Sequence, residues 1–134
     1  MKLVIPGKPI SKKRPRFARR GKFVAVINDQ ETEEGRFLWE ISRQVEGHEL
    51  FEGAIRVVAR YYMPIPKSTS KKKRNYMQMD IIKHTKKPDL DNLTKFAWDC
   101  LKGIVWGDDC QVVESDSRKT YDSFPRTELI IMEV

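Results

Sequence analysis

Lys87-Pro88-Asp89-Leu90-Asp91-Asn92-Leu93-Thr94-Lys95 opens a segment that continues through an apolar helical pattern to Gly107-Asp108-Asp109. Asp89, Asp91, Asp108 and Asp109 have no obvious partners for a core, and they sit in a chain of formal net charge +7. Asp89 and Asp91 stand two apart just ahead of a helix, so the backbone can aim both carboxylates at one point. Bare carboxylates repel a polyanion, and a divalent cation held between them removes the conflict. Mg²⁺ suits this position because it takes oxygen ligands, usually one or two carboxylates with water and substrate phosphate. The spacing alone also fits a plainer reading, in which Asp91 or Asn92 caps the helix and Asp89 is a turn residue.

Working outward, Pro88 disfavours helix at Lys87, so the helix begins near Asp91 or Asn92 and runs to about Lys102. Leu93, Ala97, Cys100, Leu101 and Ile104 form its buried stripe, with Gly103 at the stop. Asp91, Lys95 and Asp99 fall four apart on another face, where Lys95 can serve as an i,i+4 salt-bridge partner. Gly107-Asp108-Asp109 makes a turn after residues 104–106. Of two adjacent strand-edge carboxylates, one points to a given side. Trp106 beside them reads as packing. Residues 111–121 and 127–134 read as strands about a turn at 123–125, which predicts an antiparallel hairpin.

Upstream, residues 1–5 form a short strand ended by Pro6-Gly7. A basic block follows, with Lys12, Lys13, Arg14, Arg16, Arg19 and Arg20 and no acid before Asp29. Uncompensated like charges repel one another unless an anion is near, so the block reads as a loop in phosphate contact. Residues 23–27 return from it as a strand. Asn28-Asp29 can cap a helix with Glu31, Glu33 and Glu34 in its first turn and Phe37, Leu38, Ile41 and Val45 on its buried face. Residues 53–63 alternate as a central strand, ended by Pro64-Ile65-Pro66. Lys71, Lys72, Lys73 and Arg74 fall in a short helix over 70–78 capped by Ser68 or Ser70, and Lys86 and Lys87 lead back to Asp89. A cationic segment in that position is suited to closing over a phosphate backbone.

These elements describe one α+β domain over residues 1–134, a mixed β-sheet with two main helices packed on it. The chain has 134 residues, enough for one core. No apolar run approaches a membrane span, and the start does not read as a signal peptide, so the expectation is a cytoplasmic protein without a membrane partner. Cys100 and Cys110 read as reduced thiols, in a buried helix face and at the start of a strand. The two histidines, His48 and His84, lack zinc-ligand spacing to either.

The run KPDLDNLTKFAWDCLKGIVWGDDCQVV at residues 87–113, followed by Lys119 and Tyr121, resembles the signature of the RusA family of Holliday junction resolvases. Upstream, the Ile-Pro-Gly-Lys-Pro opening agrees. The resemblance implies a RusA-like fold and a divalent-metal-dependent endonuclease of bacterial or phage origin, serving DNA recombination and repair. It implies a homodimer acting on four-way junction DNA with no organic cofactor. It assigns catalysis to Asp89, Asp91, Lys95 and Asp109, with Asp108 as a supporting metal ligand. Mg²⁺ is the expected ion, with Mn²⁺ able to substitute. Water would attack the scissile phosphorus while Lys95 offsets the developing charge. The competing readings are a non-catalytic basic DNA-binding module and a metal nuclease for flaps or other branched DNA. Phe51, Met63, Ile65, Met77 and Trp98 are the apolar candidates for a dimer interface, and each of them fits the core equally well.

Overall fold

The alternation at residues 55–63 builds the centre of the molecule. In the computed structural model, which describes residues 1–13 and 31–134 in full and the backbone of 16–20 and 23–27, this stretch is β4 (Ile55–Pro64). Ile55, Val57, Ala59, Tyr61 and Met63 are each 2% exposed or less, while the residues between them are partly exposed. A period of two puts alternate side chains on opposite faces, so one face of β4 belongs wholly to the core. β1 (Lys2–Pro6) pairs antiparallel with β6 (Arg126–Glu133), β6 pairs antiparallel with β4, and β4 pairs parallel with β5 (Val112–Asp122). The sheet order is therefore β1-β6-β4-β5, a mixed sheet of four strands.

This order overturns the expected hairpin of the last two strands. β4 lies between β5 and β6, and the short turn joins two strands that never pair. The geometry permits it because β4 stops at Pro64: β5 ends opposite Pro64 and β6 begins opposite Tyr62. Two strand spacings are about 9.6 Å, and the link can reach that distance over the end of the terminated strand. Turn length alone does not say which strand is the neighbour.

Two helices close the core. α1 (Glu31–Gln44) buries Phe37 and Ile41, and α3 (Leu90–Leu101) buries Leu93, Phe96, Ala97, Cys100 and Leu101. Phe37 meets Phe96 edge-to-face with centroids 5.3 Å apart. The expected stripe of α3 thus gains Phe96, while Ile104 packs only partly against the core. α3 starts earlier than expected. Its N-cap is Asp89 rather than Asp91 or Asn92, and Gly103, at φ +84°, takes the left-handed turn after its end. α2 (Lys71–Gln78) is capped by the Ser70 side chain, which accepts from the Lys73 amide. It buries no residue; Met77 touches the core, whereas Tyr76 and Met79 are exposed.

The basic block holds β2 (Arg16–Arg20), paired antiparallel with β3 (Phe23–Ile27), where a loop was expected before the returning strand. Arg14, the Asn28-Asp29 cap and the side chains of Arg16, Arg19 and Arg20 lie outside the described residues. Cys100 is buried, and burial pushes its thiol up to about 12; Cys110 is exposed in a 3-10 turn (Asp109–Gln111) rather than in a strand. Among the described residues, no helix is long and apolar enough to cross a membrane.

Candidate active site

The start of α3 carries two of the candidate carboxylates, Asp89 and Asp91. Asp89 occupies the N-cap with extended backbone (φ −70°, ψ 144°), yet its side chain makes no capping hydrogen bond. Asp91 is exposed one position into the helix, where the macrodipole favours an acid, and its Oδ1 accepts from the Asn92 amide at 2.9 Å. The cap-and-turn reading therefore leaves the Asp89 carboxylate unexplained. Lys95 is exposed one turn after Asp91. Among the described residues it forms no ion pair, and Asp99, its other neighbour at helical spacing, is held by Lys12 Nζ at 3.1 Å instead.

The turn after α3 is built around its own polar groups. Asp108 caps the 3-10 turn by accepting from the Cys110 amide at 3.1 Å, and that bond holds its carboxyl below the usual range. Gln111 Oε1 accepts from the Gly107 and Asp108 amides at 2.9 and 3.0 Å, while its Nε2 donates to the carbonyls of Phe51 and Gly53. Asp109 is oriented differently. Its Oδ1 accepts from Trp106 Nε1 at 2.8 Å, and the fully buried Trp106 ring stands edge-on to Trp98 of α3 with centroids 6.2 Å apart. Trp106 is thus the packing residue expected and also a donor that fixes one carboxylate. The adjacent aspartates divide their tasks: Asp108 shapes the turn, and Asp109 is held by an anchored indole.

Lys119 projects from β5 toward the same loop. Its Nζ donates to the carbonyl of Lys86 at 2.7 Å and of Pro88 at 2.8 Å, clasping the segment that delivers Asp89, in which the Lys87–Pro88 bond is cis. The Tyr61 hydroxyl and Thr94 Oγ1 lie 3.2 Å apart, and Thr94 donates to Ser117 Oγ at 3.4 Å, tying α3 to β4 and β5. Burial pushes the Tyr61 phenol up to about 12, so it stays a neutral hydroxyl. Sequence reasoning named Lys119 only as a member of the family signature and Trp106 only as packing, and it did not foresee the clasp, the carboxylate donor or the Tyr61–Thr94 tie. Their signal is only a lysine in a strand and a tryptophan three residues before an aspartate.

The basic residues separate into two kinds. Lys12 pairs with Asp99 and with Glu34 at 3.7 Å, its amide donates to the Asn92 carbonyl, and Lys13 pairs with Glu33 at 3.3 Å. The hydrogen bond to Asp99 raises the Lys12 pKa. These two lysines, expected at phosphates, fasten the 8–13 segment to α1 and α3. Lys71, Lys72 and Lys73 stand exposed on α2 without ion pairs among the described residues, and Arg74 donates to the Pro66 carbonyl at 3.4 Å. Lys86 and Lys87 are exposed beside the site.

A cleft of about 340 Å³, lined by Lys8, Ser11, Lys87, Pro88, Asp89 and Asn92, opens at the start of α3. Among the described residues, no three Asp, Glu, His or Cys side chains stand close enough to hold a metal. The donor chemistry fits a hard cation all the same, since Asp89 and Asp91 offer carboxylate oxygens from one exposed turn.

The family model described as Endodeoxyribonuclease RusA matches residues 6–132. Among curated proteins, the Uncharacterized protein YqaN of Bacillus subtilis (strain 168) is 30% identical over 137 residues, covering 100% of this chain and 96% of that protein. The family match embraces every element from the end of β1 to β6, with the aspartate-bearing helix and turn inside it, so the chain belongs to the RusA family of endodeoxyribonucleases, the Holliday junction resolvases.

Proposed function

We propose that this protein resolves four-way DNA junctions by divalent-metal-dependent cleavage of paired phosphodiester bonds, in DNA recombination and repair. The observation that carries the reading is the unengaged Asp89 carboxylate at the N-cap of α3, next to exposed Asp91 within the family-matched span. Asp89 and Asp91 would hold Mg²⁺ from one exposed turn, with Mn²⁺ substituting; Asp109, which among the described residues does not stand with them in a ready-made group of three, would join the ion as it binds, with Asp108 in support. The ion, when bound, makes water more acidic and steadies charge on a phosphoryl oxygen. Lys95 brings its ammonium to the developing negative charge. Trp106 orients Asp109 through its N–H, and Lys119 holds the loop that presents Asp89. The cations of α2, with Lys86 and Lys87, grip the sugar-phosphate backbone without reading sequence. Paired cuts require two copies of the site, so the working unit is a two-fold homodimer.

The test incubates the protein with a mobile four-way junction, duplex, flap and single strand, each with Mg²⁺ or EDTA. We expect junction cleavage with Mg²⁺ only. Asp89→Asn, Asp91→Asn and Asp109→Asn should abolish cutting and leave binding intact or tighter, while Asp108→Asn should retain more activity. Equal binding with no cutting under any metal would reduce the protein to a binding module. Faster cutting of flaps would move the substrate away from junctions.

A further inference from the structure

A second cleft, of about 420 Å³, lies at the end of β4 and is lined in part by Lys86 and Lys87, just before Pro88 in the chain. Its floor belongs to the core: Met63, Ile65 and Tyr121 are 1%, 8% and 6% exposed, and His84 packs edge-on to Tyr121 with centroids 4.8 Å apart. Its rim is cationic. Lys8, Lys67, Lys86 and Lys87 line it, all are exposed, and no acid joins them. Among the described residues none of these four forms an ion pair, whereas Lys2, Lys12, Lys13 and Lys83 each meet a carboxylate. Four unpaired ammonium groups around one hollow repel each other, and an anion seated between them relieves the repulsion.

The fold keeps these lysines together. Lys119 fixes the carbonyls of Lys86 and Pro88, Lys67 comes shortly after β4 ends at Pro64, and the Gly7 amide before Lys8 donates to the Pro125 carbonyl. Burial, followed by the charges of Lys119, Lys86 and Lys8, holds the His84 imidazole below its usual range, so the wall itself stays neutral. Lys8 and Lys87 also line the smaller cleft that reaches Asp89. The path from Lys86 to Asp89 spans at most about 10 Å of chain, the reach of a neighbouring nucleotide.

From this arrangement we infer that the lysine-rimmed cleft is a subsite for a backbone phosphate of the cleaved strand, close to the scissile one, with room for its sugar on the apolar floor. The inference rests on the junction-cutting reading above and adds Lys8 and Lys67 to the DNA contacts. Charge-assisted bonds from ammonium groups to phosphate are the strong class of hydrogen bond. Seating that phosphate fixes the strand's register over Asp89 and Asp91.

The experiment is a thermodynamic cycle in EDTA. Binding is measured for four-way junctions that carry one neutral methylphosphonate at each phosphate of the branch region in turn, with wild-type protein and with Lys67→Ala/Lys86→Ala. Lys67→Gln/Lys86→Gln is the second variant, and thermal melts check folding. We expect wild type to lose about tenfold at one or two positions near the cut, and both variants to bind the natural junction more weakly yet ignore those substitutions. Losses that multiply independently at every position would overturn the subsite. Metal-dependent cutting of the unmodified junction by wild type is scored separately. Its failure would sink the nuclease reading, whereas intact cutting with multiplying losses would sink the subsite alone.

Discussion

Lys119 is a cation engaged within the protein by two backbone carbonyls. Its two carbonyl partners flank the entry to Asp89, so Lys119→Met removes two charge-assisted bonds worth about 1.5–3 kcal/mol each before solvent replaces part of them. We expect a stability loss of about 2 kcal/mol in urea melts. Single-turnover cleavage should fall at least about tenfold while junction affinity in EDTA changes little. His84 gives a pH signature. Its folded pKa lies below the unfolded value of about 6.5, so between the two the unfolded chain binds more protons and stability rises with pH. Acidification through about pH 6.5 should therefore lower the melting temperature, and His84→Gln should flatten that fall. The candidate carboxylates were singled out as aspartates near a helix start in a basic chain, a pattern that also fits a cap and a turn, and the choice of Asp109 came from the family resemblance. The supports of these carboxylates were not legible, since the Trp106 donor and the Lys119 clasp exist only after distant segments meet.

Periodicity carried the elements furthest. A period of two located β4, and helical spacing located the buried faces of α1 and α3, because one-sided burial leaves its mark in every sequence of this kind. Phe96 escaped the expected stripe although its ring meets Phe37; Phe96→Ala should cost about 3–5 kcal/mol by chemical denaturation. Loss of under about 1 kcal/mol would mean that α1 and α3 do not share one core. The hairpin error has a clear cause. Local signals describe a strand and its turn, and pairing partners are settled by which strand ends early enough for the chain to cross it. The 3-10 turn at Asp109–Gln111 was equally opaque, because its stability comes from Gln111 reaching the carbonyls of Phe51 and Gly53.

Among the described residues the charges are sorted. Acids of α1 and α3 neutralise Lys12 and Lys13, while lysines without ion pairs gather on α2 and around Pro88. Met63 and Ile65, expected at a dimer interface, belong to the core, and Phe51, Met77 and Trp98 pack partly against it. Phe51, Met77 and Trp98, each partly exposed, stay the candidates for the dimer proposed for paired cutting. Sedimentation equilibrium at low micromolar protein should give twice the chain mass of 15.8 kDa. A mass that stays at one chain would favour cutting of single breaks over paired resolution.

The crossing of the β5–β6 link over the end of β4 also governs when this enzyme comes into being. A chain emerging from the ribosome carries its central strand with both edges bare until residues 112–133 have been made. Such distant pairing closes late. Lys119, on β5, arrives in the same late portion, so the loop bearing Asp89 lacks its clasp until then. Ribosome-bound chains halted before β5 should be protease-sensitive and unable to nick DNA.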